Sequence, residues 1–267
     1  MRKLAVSNEK GGTGKTTTAT SLAHGLAMAG KRVLLIDLDA QGNARRALGV
    51  AGTGRTMAEV LLGKCSWQDA TITARPDLDF IPSGPDLATA KDDLIAEAAA
   101  RGAVALMRGR QVDVEATQFV GRALRDVVGY DYLLFDCAPS RDVLSASVTR
   151  FVNEILMPVS VDYLASVGAG QHTASVLEAQ QAGADVRIAY VLPTFYDNRR
   201  TLARAILAEL QETFGKVVAE PIPVNVALAE APSWGKTIFE YAPRSSGAVA
   251  YSQFVERVLA DGQARVG

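Results

Sequence analysis

Asn8-Glu9-Lys10-Gly11-Gly12-Thr13-Gly14-Lys15-Thr16-Thr17 is the stretch that decides the fold. The apolar run Leu4–Ser7 precedes it, and a helical period over Thr16–Ala29 follows. A glycine-rich turn thus joins a strand to the start of a helix. Glycines in that position let backbone N–H groups turn inward around phosphate oxygens, and the helix N-terminus adds its dipole. Lys15 is then placed to neutralise β- and γ-phosphates, and the Thr16 hydroxyl to ligate Mg²⁺. The alternative is a glycine-rich turn before an ordinary helix; the correct flanking strand and helix favour the phosphate loop. The strict pattern G-x-x-x-x-G-K-[ST] is not met, because Glu9 stands where the first glycine belongs. What is met is K-G-G-x-G-K-[ST], with a second lysine, Lys10, at the start of the loop.

Working outward, short apolar runs alternate with longer helical periods, the pattern of βα units around a parallel sheet. Leu4–Ser7, Val33–Ile36, Leu78–Ile81, Tyr132–Phe135, Glu154–Pro158 and Val186–Leu192 read as strands. Most are continuously apolar, as strands buried on both faces should be. Helices are expected over Thr16–Ala29, Thr56–Leu62, Leu87–Ala100, Glu115–Val128, Ala165–Ala182 and Leu202–Phe214, with a closing helix over Ala248–Leu259. In the sixth, Leu202, Ile206, Leu210 and Phe214 share one stripe, while Arg200, Arg204 and Gln211 face away. Ala98–Gln111 fits neither period. No repeat, linker or break in composition appears, so residues 1–267 read as one domain.

Two strand ends carry carboxylates. Val33–Leu38 delivers Asp37 and then Asp39, which alternation places on one side, towards the phosphate loop. Open α/β sheets bind ligands at this C-terminal edge; the plainer reading is a pair of Asp residues capping the next turn. Tyr132–Phe135 ends in Asp136, suited to hold Mg²⁺ through water. Cys137 beside it reads as a small buried hydrophobe. His24 and His172 have no metal-like spacing, and Trp67 and Trp234 read as packing residues.

The chain has 28 Lys+Arg against 29 Asp+Glu, a net charge of -1 and 48% hydrophobic residues. Those figures exclude wholesale disorder and a histone-like grip on nucleic acid. Two cysteines make no disulfide framework, which points to a reducing compartment. No apolar stretch approaches the ~18 residues of a membrane span, and the loop follows Met1 too soon for a secretory signal.

The loop resembles the deviant Walker A motif of the ParA/MinD/nitrogenase-iron-protein ATPases, and the resemblance covers nearly the whole chain. It implies a single P-loop NTPase domain over 1–267, with a twisted, mostly parallel sheet flanked by helices on both faces. It also implies ATP held by Lys10 and Gly11–Thr17, that is Gly11, Gly12, Thr13, Gly14, Lys15, Thr16 and Thr17. By the same resemblance Lys10 reaches across a dimer interface to the partner's nucleotide, Asp39 orients the attacking water, and Asp37 supports the metal shell. Asp136 resembles the Walker B carboxylate, although Ala138 departs from the usual Asp-x-Pro-Pro-Ser. The segment Ile222–Ile238 is similar to the C-terminal signature of ParA/Soj proteins. Pro193, Thr194, Pro223, Val224 and Asn225 are the candidates for the adenine pocket.

Absences narrow the branch. Cluster-ligating thiolates are lacking, Ala260–Gly267 is no basic membrane anchor, and no tyrosine-rich tail is present. The chain starts directly at the first strand, so no N-terminal helix-turn-helix is expected. The branch that remains is a small, cytoplasmic, nucleoid-associated Soj-like ParA. Such a protein forms an ATP-sandwich homodimer, binds nonspecific DNA and no membrane, and is stimulated by a ParB-like partner to partition or position a cargo. Asp197-Asn198-Arg199-Arg200-Thr201 matches a DNA-contacting family segment, which makes Arg199, Arg200 and Arg204 the expected DNA face. Val224 replaces the arginine that often follows Ile-Pro in the family, so DNA binding is either weaker or carried by other arginines; Arg101, Arg108 and Arg110 form a further basic stretch. Two other functions compete: a dethiobiotin-synthetase-like ligase or amidase, which would not need Lys10, and a nucleotide-binding adaptor that barely hydrolyses.

Overall fold

The computed structural model describes residues 1–51, 54–107, 118–161 and 165–263. Its strands are β1 (Arg2–Val6), β2 (Val33–Leu38), β3 (Ile72–Arg75), β4 (Leu78–Ile81), β5 (Tyr132–Cys137), β6 (Glu154–Ser160) and β7 (Arg187–Thr194). They form one seven-stranded sheet in the order β3-β4-β2-β5-β1-β6-β7. All neighbours are parallel except β3 and β4. The helices are α1 (Lys15–Met28), α2 (Asn43–Ala47), α3 (Met57–Leu61), α4 (Trp67–Ala70), α5 (Asp86–Met107) and α6 (Phe119–Ala123). They continue as α7 (Val143–Phe151), α8 (Ala165–Gln181), α9 (Thr201–Phe214), α10 (Val226–Glu230), α11 (Ile238–Tyr241) and α12 (Ser246–Gln263).

The period of two along each strand sorts side chains onto two cores. Leu34, Ile36, Leu133 and Phe135 face the layer of α3, α5, α6, α7, α8 and α9. Val33, Leu35, Tyr132 and Leu134 face α1, α2, α11 and α12. Burying each such Leu, Ile or Phe contributes about 1.5–3 kcal/mol, and the double coverage explains why these runs are apolar without interruption. Gly25 is what lets α12 come close to α1: a Cβ there would stand 2.5 Å from Val255.

The strands foreseen are all present; β2, β5, β6 and β7 run on at their C-terminal ends, β4 has the expected bounds, and β1 starts earlier, at Arg2, and ends at Val6. An unforeseen strand is β3, an antiparallel edge strand with no fully buried residue, paired to β4 through a turn in which Asp77 has φ 58°. Helix α7 was also not foreseen; Ser145, Ser147 and Thr149 dilute its apolar stripe, but Asp142 caps it by accepting from the Leu144 and Ser145 amides at 3.1 and 3.0 Å. On α9 the stripe turns by one position: Ala203, Ile206 and Leu210 are buried, whereas Leu202 is 41% exposed. Helix α5 carries on to Met107, so the uncertain stretch begins as helix. The rest of that stretch, with Arg108, Arg110 and the start of the helix expected over Glu115–Val128, lies outside the described residues; α6 covers Phe119–Ala123.

Candidate active site

The register explains where the carboxylates point. Asp37 continues the Val33 and Leu35 side of β2, and Asp136 continues the Tyr132 and Leu134 side of β5; both therefore face α1. The two residues are direct cross-strand partners. Helix α1 starts at Lys15, so its first turn and the phosphate loop lie over the pair. Gly14, the N-cap, has φ 82° and Gly12 has φ 71°, conformations that glycine alone adopts without strain. Among the described residues, chain neighbours aside, no atom lies within 4 Å of the place a Cβ would take on Gly11 or Gly12.

The loop is braced from within. Asn8 donates through Nδ2 to the Pro158 carbonyl at 2.8 Å and accepts from the Lys10 amide at 3.0 Å. Lys15 is buried, and its Nζ donates to the Lys10 carbonyl at 2.8 Å. Burial lowers the Lys15 pKa, while the Asp136, Cys137 and Asp39 side chains oppose that shift. Thr194 Oγ1 donates to the Thr13 carbonyl at 3.0 Å, which ties the end of β7 to the loop. Glu9 turns away towards α8, where it accepts from Ser175 Oγ at 2.6 Å and lies 3.9 Å from His172 Nδ1.

The acidic side is electrostatically strained. Asp37 Oδ1 accepts from the Asp39 amide at 2.9 Å, but its Oδ2 and both Asp136 oxygens are buried without a hydrogen-bond partner. Burial, reinforced by Asp136, pushes the Asp37 carboxyl well above its ordinary range. Burial pushes Asp136 up to about 7; Thr16 and Lys15 pull it back down, whereas the charge of Asp39 adds to the rise. Asp39 is half-buried and accepts from the Gln41 amide at 3.0 Å. Oxygen donors without partners, beside a threonine hydroxyl at a helix start, fit a hard divalent cation such as Mg²⁺. Among the described residues no cluster of three or more His, Cys, Asp or Glu could hold a metal without further ligands. Mg²⁺ takes one or two carboxylates and completes its shell with phosphates and water. Cys137 is buried with its thiol pushed upward, an inert hydrophobe as expected.

Residues 1–188 match the family described as an AAA domain. The chain is 40% identical to the chromosome-partitioning ATPase Soj of Thermus thermophilus, over 97% of this chain and 96% of that protein. It is 36% identical to the sporulation initiation inhibitor protein Soj of Bacillus subtilis, over 97% and 98%. Among solved structures it resembles the cobyrinic acid a,c-diamide synthase of Mycobacterium smegmatis with bound ATP analog and magnesium; the TM-score is 0.79 and the identity 30%, over 97% of this chain and 94% of that one. The chain is a ParA/MinD-type P-loop ATPase.

In this ATPase the remaining candidates fall into two groups. Pro193 and Thr194 end β7, and residues 222–224 run beside them: Ile222 N donates to the Pro193 carbonyl at 2.8 Å, and Val224 N to Tyr196 at 3.0 Å. Pro223, Val224 and Asn225 are therefore brought to the β7 side of the loop. Asn225 donates to Ser246 Oγ at 2.9 Å, and its Oδ1 is buried without a partner. Arg199, Arg200 and Arg204 are exposed just before and within the first turn of α9. Arg199 forks onto the Asp197 carboxylate at 2.9 Å through Nε and Nη2, which holds Asp197 down at about 2. Arg204 reaches the Asn198 carbonyl at 3.0 Å.

Some expectations change. Trp67 packs against Tyr130, but Trp234 is 68% exposed and is not a core residue. Arg101 of the further basic stretch pairs with Glu97, one turn back on α5. Sequence reading passed over Asn8, Ser175 and Phe195, whose roles rest on contacts between distant segments. No helix among the described residues is long and apolar enough to cross a membrane.

Proposed function

We propose that this protein is a Mg²⁺-ATP-dependent partition switch that dimerises on ATP, binds nonspecific DNA in that state, and releases it after hydrolysis stimulated by a ParB-like partner. One ATPase unit over 1–267 acts in the cytoplasm on the nucleoid. The observation that carries the reading is Lys10, a second loop lysine whose carbonyl takes the Lys15 ammonium, in a chain whose curated relatives are named chromosome-partitioning ATPases. Gly11–Thr17 cradle the phosphates, while Lys15 neutralises the β/γ oxygens. Thr16, Asp37 and Asp136 would hold Mg²⁺, which when bound would neutralise charge on the transferred phosphoryl group. Asp39 orients the attacking water, and Lys10 contributes in trans to transition-state charge, as an arginine finger does. Pro193, Thr194, Pro223, Val224 and Asn225 enclose the adenine.

Arg199, Arg200 and Arg204 of two protomers supply about six phosphate contacts, so affinity for DNA should fall about 10³-fold between 50 and 200 mM salt. The test is retention on nonspecific DNA with ATP, with ADP and without nucleotide, for wild type and Asp39→Ala. Asp39→Ala should accumulate as an ATP dimer on DNA, and Lys15→Ala should lose nucleotide binding. ATP-independent retention, or Asp39→Ala that stays monomeric with ATP, would sink the proposal. The similarity to the M. smegmatis cobyrinic acid a,c-diamide synthase favours a second reading, an ATP-dependent amide ligase. Turnover that requires a small carboxylate and a nitrogen donor, and ignores DNA, would establish it instead.

A further inference from the structure

Phe195, directly after β7, has φ 55°, one of two non-glycine residues in the left-handed region among those described. Bulky side chains seldom adopt that conformation, and it persists where the surroundings over-determine it, often at ligand sites. Both flanks are pinned: Thr194 is held to the Thr13 carbonyl at 3.0 Å, and the Tyr196 amide donates to the Ile222 carbonyl at 3.0 Å. The kink sends the ring away from the core. It is 47% exposed, and its Cε2 and Cζ atoms come within 3.8 and 3.9 Å of the place a Cβ would take on Gly14. A strained backbone thus keeps an aromatic face half-open beside the last glycine of the phosphate loop.

The charge distribution says which part of a nucleotide comes here. On the proposed reading the loop takes the phosphates, and the β2–β5 side carries Asp37, Asp39 and Asp136. The opposite side is apolar: beyond Phe195 stand Val224 and Val226, 57% and 69% exposed. A base linked through ribose to those phosphates finds an apolar surface in Phe195, Val224 and Val226 on the β7 side, with the charged pair of Asp197 and Arg199 just beyond.

We propose that Phe195 is the base-stacking wall of the nucleotide site, its ring face taking the purine of the bound nucleotide. This rests on the ATP reading above. It adds a residue outside the adenine-pocket set and a division of labour, in which Phe195 binds the base and contributes nothing to the phosphates.

The test compares Mg²⁺-ATP with Mg²⁺-tripolyphosphate as ligands of wild type, Phe195→Ala, Phe195→Leu and Phe195→Trp, by calorimetry. Phe195→Ala should weaken ATP about 5- to 160-fold, the range for loss of one base–aromatic stack, and leave tripolyphosphate within twofold. Phe195→Trp should restore ATP binding, and Phe195→Leu, which keeps bulk without a ring face, should resemble Phe195→Ala. Phe195→Leu also serves if the alanine variant does not fold. Equal losses of ATP and tripolyphosphate would mean that the ring props the loop, and unchanged ATP affinity would mean that it does nothing for the base; either overturns the inference. A wild-type chain that binds neither ligand removes the nucleotide reading along with it.

Discussion

His172 lies on α8 with 3% of its surface exposed, and neither ring nitrogen has a hydrogen-bond partner. Glu9 of the phosphate loop faces it at 3.9 Å, Lys15 approaches from α1, and Arg141, Asp142, Arg150 and Glu178 line the adjoining 420 Å³ cavity between α7 and α8. Burial pushes the imidazole down to about 4; Glu9 resists the shift and Lys15 reinforces it. Unfolded, the ring titrates near 6.5. Below that pH the unfolded chain binds a proton that the native chain refuses, so stability is present above 6.5 and is lost as pH falls towards 4. At pH 5 the loss is about 1.5 units at 1.36 kcal/mol each, or roughly 2 kcal/mol. His172→Phe keeps an aromatic ring and removes the proton site. The variant carries a constant offset, because it relieves unpartnered nitrogens yet fills slightly more space. Only the pH-dependent part of the difference is diagnostic. Urea unfolding of both proteins at pH 8, 6 and 5 should show the variant gaining about 2 kcal/mol on wild type between pH 8 and pH 5, equivalent to roughly 4–8 °C in melting temperature. A difference constant within about 0.5 kcal/mol across that range would refute the reasoning, since it would mean the buried ring accepts its proton as readily as an unfolded one.

Asp136→Asn should abolish the Mg²⁺ dependence of ATP binding, read by calorimetry with and without the cation. The same variant should melt higher than wild type at pH 8 without nucleotide, because the carboxyl held near 7 is charged in the fold above that pH and uncharged below it; the gap should close as pH falls from about 7 to 4. Gly49→Ala should destabilise by about 3 kcal/mol or more in urea unfolding. Gly49 has φ 63°, and a Cβ there would stand 2.6 Å from the Gly235 carbonyl oxygen, a backbone atom that cannot step aside.

The central sheet and the acidic pair were readable because one physical rule governs both. Strands covered on two faces are apolar throughout, so a carboxylate at the end of such a run, as at Asp37 or Asp136, is conspicuous. β3 gave no such signal: an edge strand with half-exposed Ile72, Ala74 and Arg75 has little hydrophobic pattern. α7 was hidden by its serines, although Asp142 in front of Val143 and Leu144 is a cap that could have been recognised. Trp234 misled because aromatic residues are usually buried, whereas here the turn at Gly235, φ 62°, presses its backbone against Gly49 and leaves the indole outside. The brace of Glu9 by Ser175 joins residues 166 apart in sequence. No local pattern encodes such a contact, and the same holds for Thr194 on Thr13 and Phe195 on Gly14.

The charges at the loop fix how its ligands must arrive. Lys15 gives its ammonium to a backbone carbonyl, while the Asp136 oxygens and Asp37 Oδ2 stay buried without partners. A polyphosphate entering alone meets Lys15 but also the negative field of Asp37, Asp39 and Asp136. A cation entering alone meets the carboxylates but also Lys15, and finds too few ligands to fill its shell. Each ligand supplies the charge that the other lacks. Their binding free energies must therefore be coupled, and by linkage the coupling is the same in both directions. The shift of Asp136 to about 7 acts in the same direction: Asp136 would have to give up its proton to hold a cation, so cation binding there would tighten as pH rises. A site built this way favours the pair over either component alone, which suits the Mg²⁺-ATP-dependent switch proposed above.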